Sequence, residues 1–434
     1  MALGGGIFLT QNKVLPGAYI NFVSLNSGTA ELGERGCAAM GFELDWGPEG
    51  EIFTVTNGDF QKNSAKYFGY AYTSDKLKGL RDLFLNAKTL YAYRLNGGVK
   101  AANAYATAKY SGTRGNDIKI GIAVNADDEN KFDVTTYVDN NVADRQTVET
   151  AAGLVSNNWV DFKSDATLAA AAATALTGGT NGSVTGQSHQ NFLDKLEKFS
   201  FNALGAVTTD AVTKGLYSAF TKRMRDEIGL KFQCVVYNLA ADHEGVVSVK
   251  NACSDTGENA ASAVYWVTGA IAGCEINKSN LNKRYDGEFT IAADYTQAQL
   301  EAAIRAGEFT FHFVGEDLRV LADINTLVTV SDTKGDMFKE NQTVRVCDQI
   351  ANDIANIFNT RYLGTVPNDK AGRTSLWTDI VKHHKQLEDI RAIEDFEPEN
   401  ITVERGDTKK SVVVNDVITV VNAMGQLYMT VLVE

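Results

Sequence analysis

The sequence predicts a multidomain α/β protein with an inserted β domain and an α+β C-terminal domain. Apolar residues at helical spacing alternate with short β-branched runs through residues 31–100 and again through 186–335, the texture of a layered sheet with helices on its faces. Between 101 and 185 this gives way to alternating strands separated by Asn and Asp clusters. A length of 434 residues accommodates about three domains of ordinary size.

In chain order, residues 1–30 hold a Gly-rich leader and then a strand built on Tyr19, Ile20, Phe22 and Val23, read as an arm on a flexible tether. Strands are expected at 51–56 and 89–95, with a helix at 75–85 in which Leu77, Leu80, Arg81 and Phe84 follow helical spacing. In the inserted domain, 118–124 and 132–138 read as strands, the Ala-rich 167–176 as a short helix, and 177–182 as a turn whose glycines allow positive φ. Helices are expected at 191–199 and 210–228, a buried strand at 231–239, and an apolar helix at 259–273.

Val346, Ile350, Ile354, Ile357 and Phe358 recur on one face of a helix at 344–360, and a second helix runs through 373–393. Strands at 411–414, 417–422 and 427–433 close the chain, the last two joined as a hairpin by a turn at 423–426. The expected divisions are therefore an arm at 1–30, a first α/β part at 31–100, the β insertion at 101–185, a second α/β part at 186–335, and a C-terminal domain at 336–434.

The formal net charge of −13 argues against tight DNA or RNA binding, which needs a surplus of Lys and Arg. A hydrophobic fraction of 44% with 22% charged residues excludes wholesale disorder. The cysteines Cys37, Cys234, Cys253, Cys274 and Cys347 are odd in number and form no CxxC pair, as expected in a reducing cytoplasm. No basic segment followed by an apolar one comes after Met1, so export by a signal peptide is not expected. The longest apolar run, 259–274, is shorter than the roughly 20 residues that span a bilayer. Despite its Gly269-x-x-x-Gly273 it is read as a buried helix, and no membrane insertion is expected.

The terminal hairpin is the most informative physical feature. Val417, Ile418 and Val420 on one strand, with Leu427, Tyr428, Met429 and Val431 on the other, make it apolar on both faces, without proline and without charge before Glu434. An isolated hairpin is marginal in water and an open apolar edge is an aggregation template. It must be covered, either by its own domain or by β-augmentation, in which the strands complete a sheet in a neighbouring subunit.

Candidate chemistry is sparse. Asp255-Thr256-Gly257 matches a triplet of subtilisin-type and aspartic proteases, but the companion His and Ser contexts, or a second Asp triplet, are missing. His189, His243 and His312 lie in unrelated contexts, and no Gly-x-Ser-x-Gly elbow occurs. Gly178-Gly179-Thr180-Asn181-Gly182 lacks the Gly-Lys-Ser/Thr of a phosphate loop. The acidic cluster of Asp127, Asp128, Glu129, Asp133 and Asp139 lacks the Gly and closing Glu of a calcium loop and reads as a polar turn. Lys382-His383-His384-Lys385 reads as a solvated basic face, in which only Lys382 and Lys385 share a side, or as a docking patch for an acidic partner. No catalytic, cofactor-binding or metal-ligating residue is assigned.

The chain resembles the contractile tail sheath proteins of bacteriophages and phage-tail-like particles, of the type found in phages of Gram-positive bacteria. The marks run through nearly its whole length: Pro16-Gly17-Ala18-Tyr19-Ile20-Asn21-Phe22, Asp45-Trp46-Gly47-Pro48, Gly112-Thr113-Arg114-Gly115-Asn116, Leu176-Thr177-Gly178-Gly179, Asn277-Lys278-Ser279, Asp323-Ile324-Asn325-Thr326-Leu327, Arg345 with Asp348, Tyr362-Leu363-Gly364 and Met424-Gly425-Gln426-Leu427-Tyr428-Met429. The resemblance implies a non-enzymatic structural subunit of stacked six-fold rings around an inner tail tube, contracting to drive the tube through a cell envelope. It also implies a subtilisin-like but inert α/β core, a β-sandwich-like insertion, and a tube-facing C-terminal domain. Terminal strands carrying Tyr19, Ile20, Phe22, Val23 and the hairpin residues above would be swapped between copies. Expected partners are other copies, the tube protein, the baseplate and the tail terminator, with Lys382 and Lys385 as possible tube contacts, in a particle assembled in the host bacterial cytoplasm. Alternatives from other classes are a cryptic hydrolase and a carbohydrate-binding module on the inserted domain.

Overall fold

Strand Cys37–Phe42 lies inside a seven-stranded sheet whose order is Glu308–Phe309, Val246–Val249, Gln233–Tyr237, Ala203–Ala206, Cys37–Phe42, Thr89–Arg94, Ile52–Thr56. Every neighbouring pair is parallel except the last, where Ile52 faces Tyr93 and Thr56 faces Thr89 in antiparallel register. The computed structural model describes residues 32–433. They divide into a larger unit, made of Gly33–Asn352, Ile390–Glu394 and the residues from Thr419 onward, and a smaller one, made of Asp353–Asp389 and Asp395–Ile418 with Leu32. The donated strand expected on Tyr19, Ile20, Phe22 and Val23 falls outside the described residues.

The sheet is buried on both faces, as parallel strands linked by crossover helices must be. On one face, Ala38, Met40 and Phe42 join the core of helices α1 (Asn57–Phe68), α2 (Lys78–Phe84) and α5 (Ala263–Gly273). On the other, Ala39, Leu204, Cys234 and Val236 pack with Phe192, Leu193 and Leu196 of α3 (Gly186–Leu196) and with Tyr217 and Phe220 of α4 (Ala211–Arg223). Helix α6 (Gln297–Arg305) precedes the edge strand Glu308–Phe309. The α5 helix is apolar all round because it is enclosed, and its glycines sit where another backbone passes. A Cβ on Gly269 would lie 2.3 Å from the Leu83 carbonyl oxygen, and one on Gly273 1.9 Å from that of Asn86. The Gly-x-x-x-Gly pattern thus serves close helix packing inside the core, and no described helix is long and apolar enough to cross a membrane.

The inserted region forms an antiparallel sheet in the order Ala171–Ala175, Ile118–Val124, Phe132–Val138, Asn141–Val148, around a core of Trp46, Ile118, Ile120, Ile122 and Val134. The expected Ala-rich helix at 167–176 is not there. Ala171 pairs with Ile122 and Ala175 with Lys119 as a strand. Helix propensity is a fraction of a kcal/mol per residue, and an alanine helix offers no large apolar face to bury, so the open edge of Ile118–Val124 decides the conformation.

Other elements begin where caps place them. Helix α3 starts five residues before the expected 191, because Thr185 accepts from Ser188 N–H while the Ser188 side chain reaches back to Thr185 N–H. The unforeseen helix α6 is capped in the same way by Thr296 with Gln299, and α1 by Thr56, whose side chain accepts from Asp59 N–H.

Helix α7 spans Asn341–Ile357 and α8 spans Lys370–Asp389. In the smaller unit α8 carries the hairpin of Thr402–Arg405 and Val412–Asn415, and Trp377 Nε1 donates to Ile401 O at 3.0 Å.

The terminal hairpin expected between 417–422 and 427–433 does not form. Thr419–Val420 pairs antiparallel with Ile393–Glu394, and no strand is present in 421–433. The hairpin loses because Ala392–Glu394 offers a ready edge to which Val421 N–H also donates, at 3.0 Å to Ala392 O.

Candidate assembly site

The last stretch of the chain is anchored at one end and bare at the other. Gln342, at the start of α7, holds it on both sides: its Nε2 donates to Val421 O at 3.1 Å and its Oε1 accepts from Ala423 N–H at 2.9 Å. Beside it, Asn422 Nδ2 donates to Thr343 Oγ1 at 3.0 Å. Beyond Ala423, apolar side chains are open to water: Met424 is 100% exposed, Leu427 85%, Tyr428 88%, Met429 75%, Val431 67% and Leu432 89%. Val417 is exposed as well, while Ile418 and Val420 are half-buried. Scattered exposed apolar residues are ordinary, but a continuous run of this kind marks an interaction surface.

The smaller unit presents two further features. Each strand of the hairpin Thr402–Arg405/Val412–Asn415 pairs only with the other among the described residues, so both outer edges are open. A groove of about 560 Å³ runs beside it, floored by Phe358, Leu363, Val366 and Leu376 and rimmed by Arg373 and Lys410.

On α8, Lys382 and Lys385 point to solvent, whereas His383 and His384 are fully buried. The reading of the four as one solvated basic face is therefore wrong for the histidines. At about 100° per residue His383 and His384 fall on the side of the helix that also carries the buried Ile380, Val381 and Leu387, while Lys382 and Lys385 fall on the opposite side.

The motifs weighed for chemistry are structural. Asp255 is paired to Lys78 Nζ at 2.6 Å and accepts from Thr290 N–H, which together hold its carboxyl down to about 2. Asp139, grouped with the 127–133 cluster by sequence, instead meets Arg114 in a bidentate pair at 2.6 and 2.5 Å. Asn125 Oδ1 caps the turn by accepting from Asp127 and Asp128 N–H.

A cleft of about 550 Å³ at the C-terminal edge of the parallel sheet is lined by His189, Asp210, Tyr217 and Ser262. Its groups are spent on the fold. His189 Nδ1 contacts Tyr217 Oη at 3.0 Å and burial lowers its basicity, while Asp210 caps α4 by accepting from Thr213 N–H at 2.7 Å. No nucleophile is bonded to the histidine among the described residues.

Asp226, His243 and Glu244 have spacing that would suit a metal. However, His243 Nδ1 accepts from Gly245 N–H at 3.0 Å, so Nε2 carries the proton and faces Asp226 Oδ2 at 3.1 Å. A protonated Nε2 cannot ligate, and Arg225 Nη2 stands 3.9 Å from Glu244.

Residues quoted only as sequence marks turn out to be a buried polar network. Arg345 Nη1 donates to Lys278 O at 2.6 Å, its Nη2 lies 3.3 Å from Asp323 Oδ2, and Asn341 Nδ2 donates to Asp323 Oδ1 at 2.9 Å. Polar residues at helical positions that should be apolar were the available signal.

Family models match the chain in four consecutive segments. These are the "Tail sheath protein Gp18 domain III N-terminal region" at 35–95, the "Phage tail sheath protein beta-sandwich domain" at 96–181, the "Phage tail sheath protein central domain" at 182–326, and the "Phage tail sheath C-terminal domain" at 333–434. The chain is 32% identical over 466 residues to the phage-like element PBSX protein XkdK of Bacillus subtilis, covering 99% of each. It superposes on the crystal structure of a sheath tail protein from Desulfitobacterium hafniense with a TM-score of 0.83 and 38% identity, covering 95% of this chain and 99% of that one. For a sheath tail protein from Listeria innocua the values are 0.80 and 32%, covering 91% and 93%.

Proposed function

The chain belongs to the phage tail sheath family, and from that premise we propose how a subunit of this kind builds a contractile sheath. The protein is a tail sheath subunit. Copies would stack as six-fold rings around an inner tube, between a baseplate and a tail terminator, in a particle assembled in the host cytoplasm, with contraction driving the tube through a cell envelope. The α/β core is read as a subtilisin-like frame without catalytic groups, in keeping with the capping roles of Asp210 and Asp255.

One observation carries the assembly reading: the apolar run from Met424 to Val433 is exposed in the isolated protomer. Burying each Leu, Val or Met side chain is worth about 1.5–3 kcal/mol, while fixing each residue costs roughly 1–2 kcal/mol of backbone entropy. These terms nearly cancel, so side-chain burial alone does not seat the arm. The difference comes from pairing with a strand edge, at about 0.5–1.5 kcal/mol per hydrogen bond. The open edges of the Thr402–Arg405/Val412–Asn415 hairpin and its adjoining apolar groove are the acceptor we assign for the arm of another copy. The N-terminal strand bearing Tyr19, Ile20, Phe22 and Val23 would join the same exchange. Strand pairing can persist while domains move, so that contraction draws on side-chain contacts between rigid bodies that are richer in the compact state.

Truncation after Ala423 tests this, because it spares Thr419–Val420 and the Gln342 anchor. The expected product is a folded monomer that makes no tubes under electron microscopy. Full-length sheaths from this variant would refute the exchange.

A further inference from the structure

We propose that the inserted β domain carries a sugar-binding cleft in which Trp159, Tyr110, Asp144, Asn158 and Lys66 take a hexopyranose. The site lies apart from the exposed C-terminal run and does not rest on the assembly reading.

The cleft has a volume of about 390 Å³ and is bounded by strand Asn141–Val148, the loop 155–159 and Lys66 of α1. That volume falls in the range of about 300–1,000 Å³ usual for small-molecule sites. Its aromatic wall is set by the core. Trp46 is fully buried, with the Tyr110 ring edge-on at 5.3 Å and the Trp159 ring tilted at 5.3 Å. The parts of Tyr110 and Trp159 not turned to Trp46 line the cleft, and both residues are half-buried.

The loop is tied down on each side. Asn157 Oδ1 accepts from Trp159 N–H and Val160 N–H, each at 2.9 Å, and Asn157 Nδ2 donates to Thr136 Oγ1 at 3.1 Å and Asp144 Oδ2 at 2.9 Å. Gln146 Nε2 donates to Val155 O at 2.8 Å, and its Oε1 accepts from Val155 N–H at 2.9 Å. Lys109 N–H donates to Trp159 O at 2.8 Å. A wall held in this way loses little freedom when a ligand enters.

The polar groups left open are of both kinds. Asp144 Oδ2 accepts from Asn157 and from Gln146 Nε2 at 2.7 Å, which fixes the carboxylate and leaves Oδ1 without a partner among the described residues. Asn158 and Lys66 are exposed, and their side chains make no hydrogen bond or ion pair among the described residues, whereas Lys109 is paired with Asp161 at 2.8 Å. A pyranose matches this set. Its hydroxyls need an acceptor and donors together, and its weakly positive C–H face suits the negative face of an aromatic ring. A phosphate would meet the Asp144 carboxylate, and an apolar peptide would leave Asp144 and Lys66 unmatched. A sheath holds many copies of its subunit, so a weak affinity at each site would add up along the particle.

The test is saturation-transfer NMR on the full chain before assembly, with methyl β-D-galactopyranoside, methyl β-D-glucopyranoside and N-acetylglucosamine as probes. Transfer is expected to at least one of them, strongest at its ring C–H protons. Asn158→Ala, at an exposed position, should melt with the wild type and weaken binding about threefold. Trp159→Ala should weaken it about tenfold; should that variant fail to fold, Asn158→Ala decides alone. No transfer to any of the three probes, or wild-type affinity in either folded variant, would overturn the site.

Discussion

Arg225 and Asp348 meet in a bidentate ion pair closed to water, with Nη1 2.6 Å from Oδ2 and Nη2 2.8 Å from Oδ1 and the side chains 3% and 9% exposed. Arg225 also donates to Phe232 O at 2.6 Å, so the pair ties the α4 end of the larger unit to α7. Removing one partner of such a pair strands a buried charge. Asp348→Ala should lower stability by about 3–5 kcal/mol, read as an earlier urea midpoint with an unchanged slope. Glu244, 3.9 Å from the guanidinium, is too far to replace the lost bonds.

The close approach of α5 to the chain after α2 makes a second expectation. Gly273→Ala places a methyl group 1.9 Å from the Asn86 oxygen and should cost about 1–3 kcal/mol or more. Gly215→Ala, with nothing within 4 Å, should be neutral or slightly stabilising. Equal melting temperatures for the two variants would contradict this packing.

Asp82 gives a pH dependence of definite sign. Burial raises its carboxyl from 3.8 to about 6, outweighing hydrogen bonds from Tyr285 Oη at 2.9 Å and Glu288 N–H at 2.7 Å that favour the carboxylate. The folded state holds this proton more tightly than the unfolded chain does. Its contribution is full below 3.8 and is lost as pH rises to about 6. Relative to Asp82→Asn, the wild type should lose roughly 3 kcal/mol across that window, measured as the difference between the two unfolding curves at each pH.

Charge reversal at Lys382 and Lys385 separates fold from docking. Both side chains are exposed, so Lys382→Glu with Lys385→Glu should leave stability within about 0.5 kcal/mol. If they contact the tube, sheath assembly on tubes weakens and its salt dependence changes. Unaltered assembly with unaltered salt response would remove them from the interface.

The sequence by itself determined the α/β texture, the buried apolar helix of Ala263–Gly273, the strands Ile118–Val124 and Phe132–Val138, and the family. These depend on periodicity and on ordered motifs, both carried by neighbouring residues. It also marked Val417, Ile418, Val420, Leu427, Tyr428, Met429 and Val431 as apolar, and in the protomer all of these are exposed except the half-buried Ile418 and Val420. Tertiary structure decided the rest. Ala171–Ala175 became a strand because a sheet edge was waiting, and the terminal hairpin gave way to pairing with Ile393–Glu394. His383 and His384 went inside, where Asp353 Oδ2 lies 3.0 Å from one ring and Asp416 Oδ2 2.8 Å from the other, both carboxylates being distant along the chain. Hydrogen-bond partners and open edges are properties of space, and local pattern has no access to them until the chain has closed on itself.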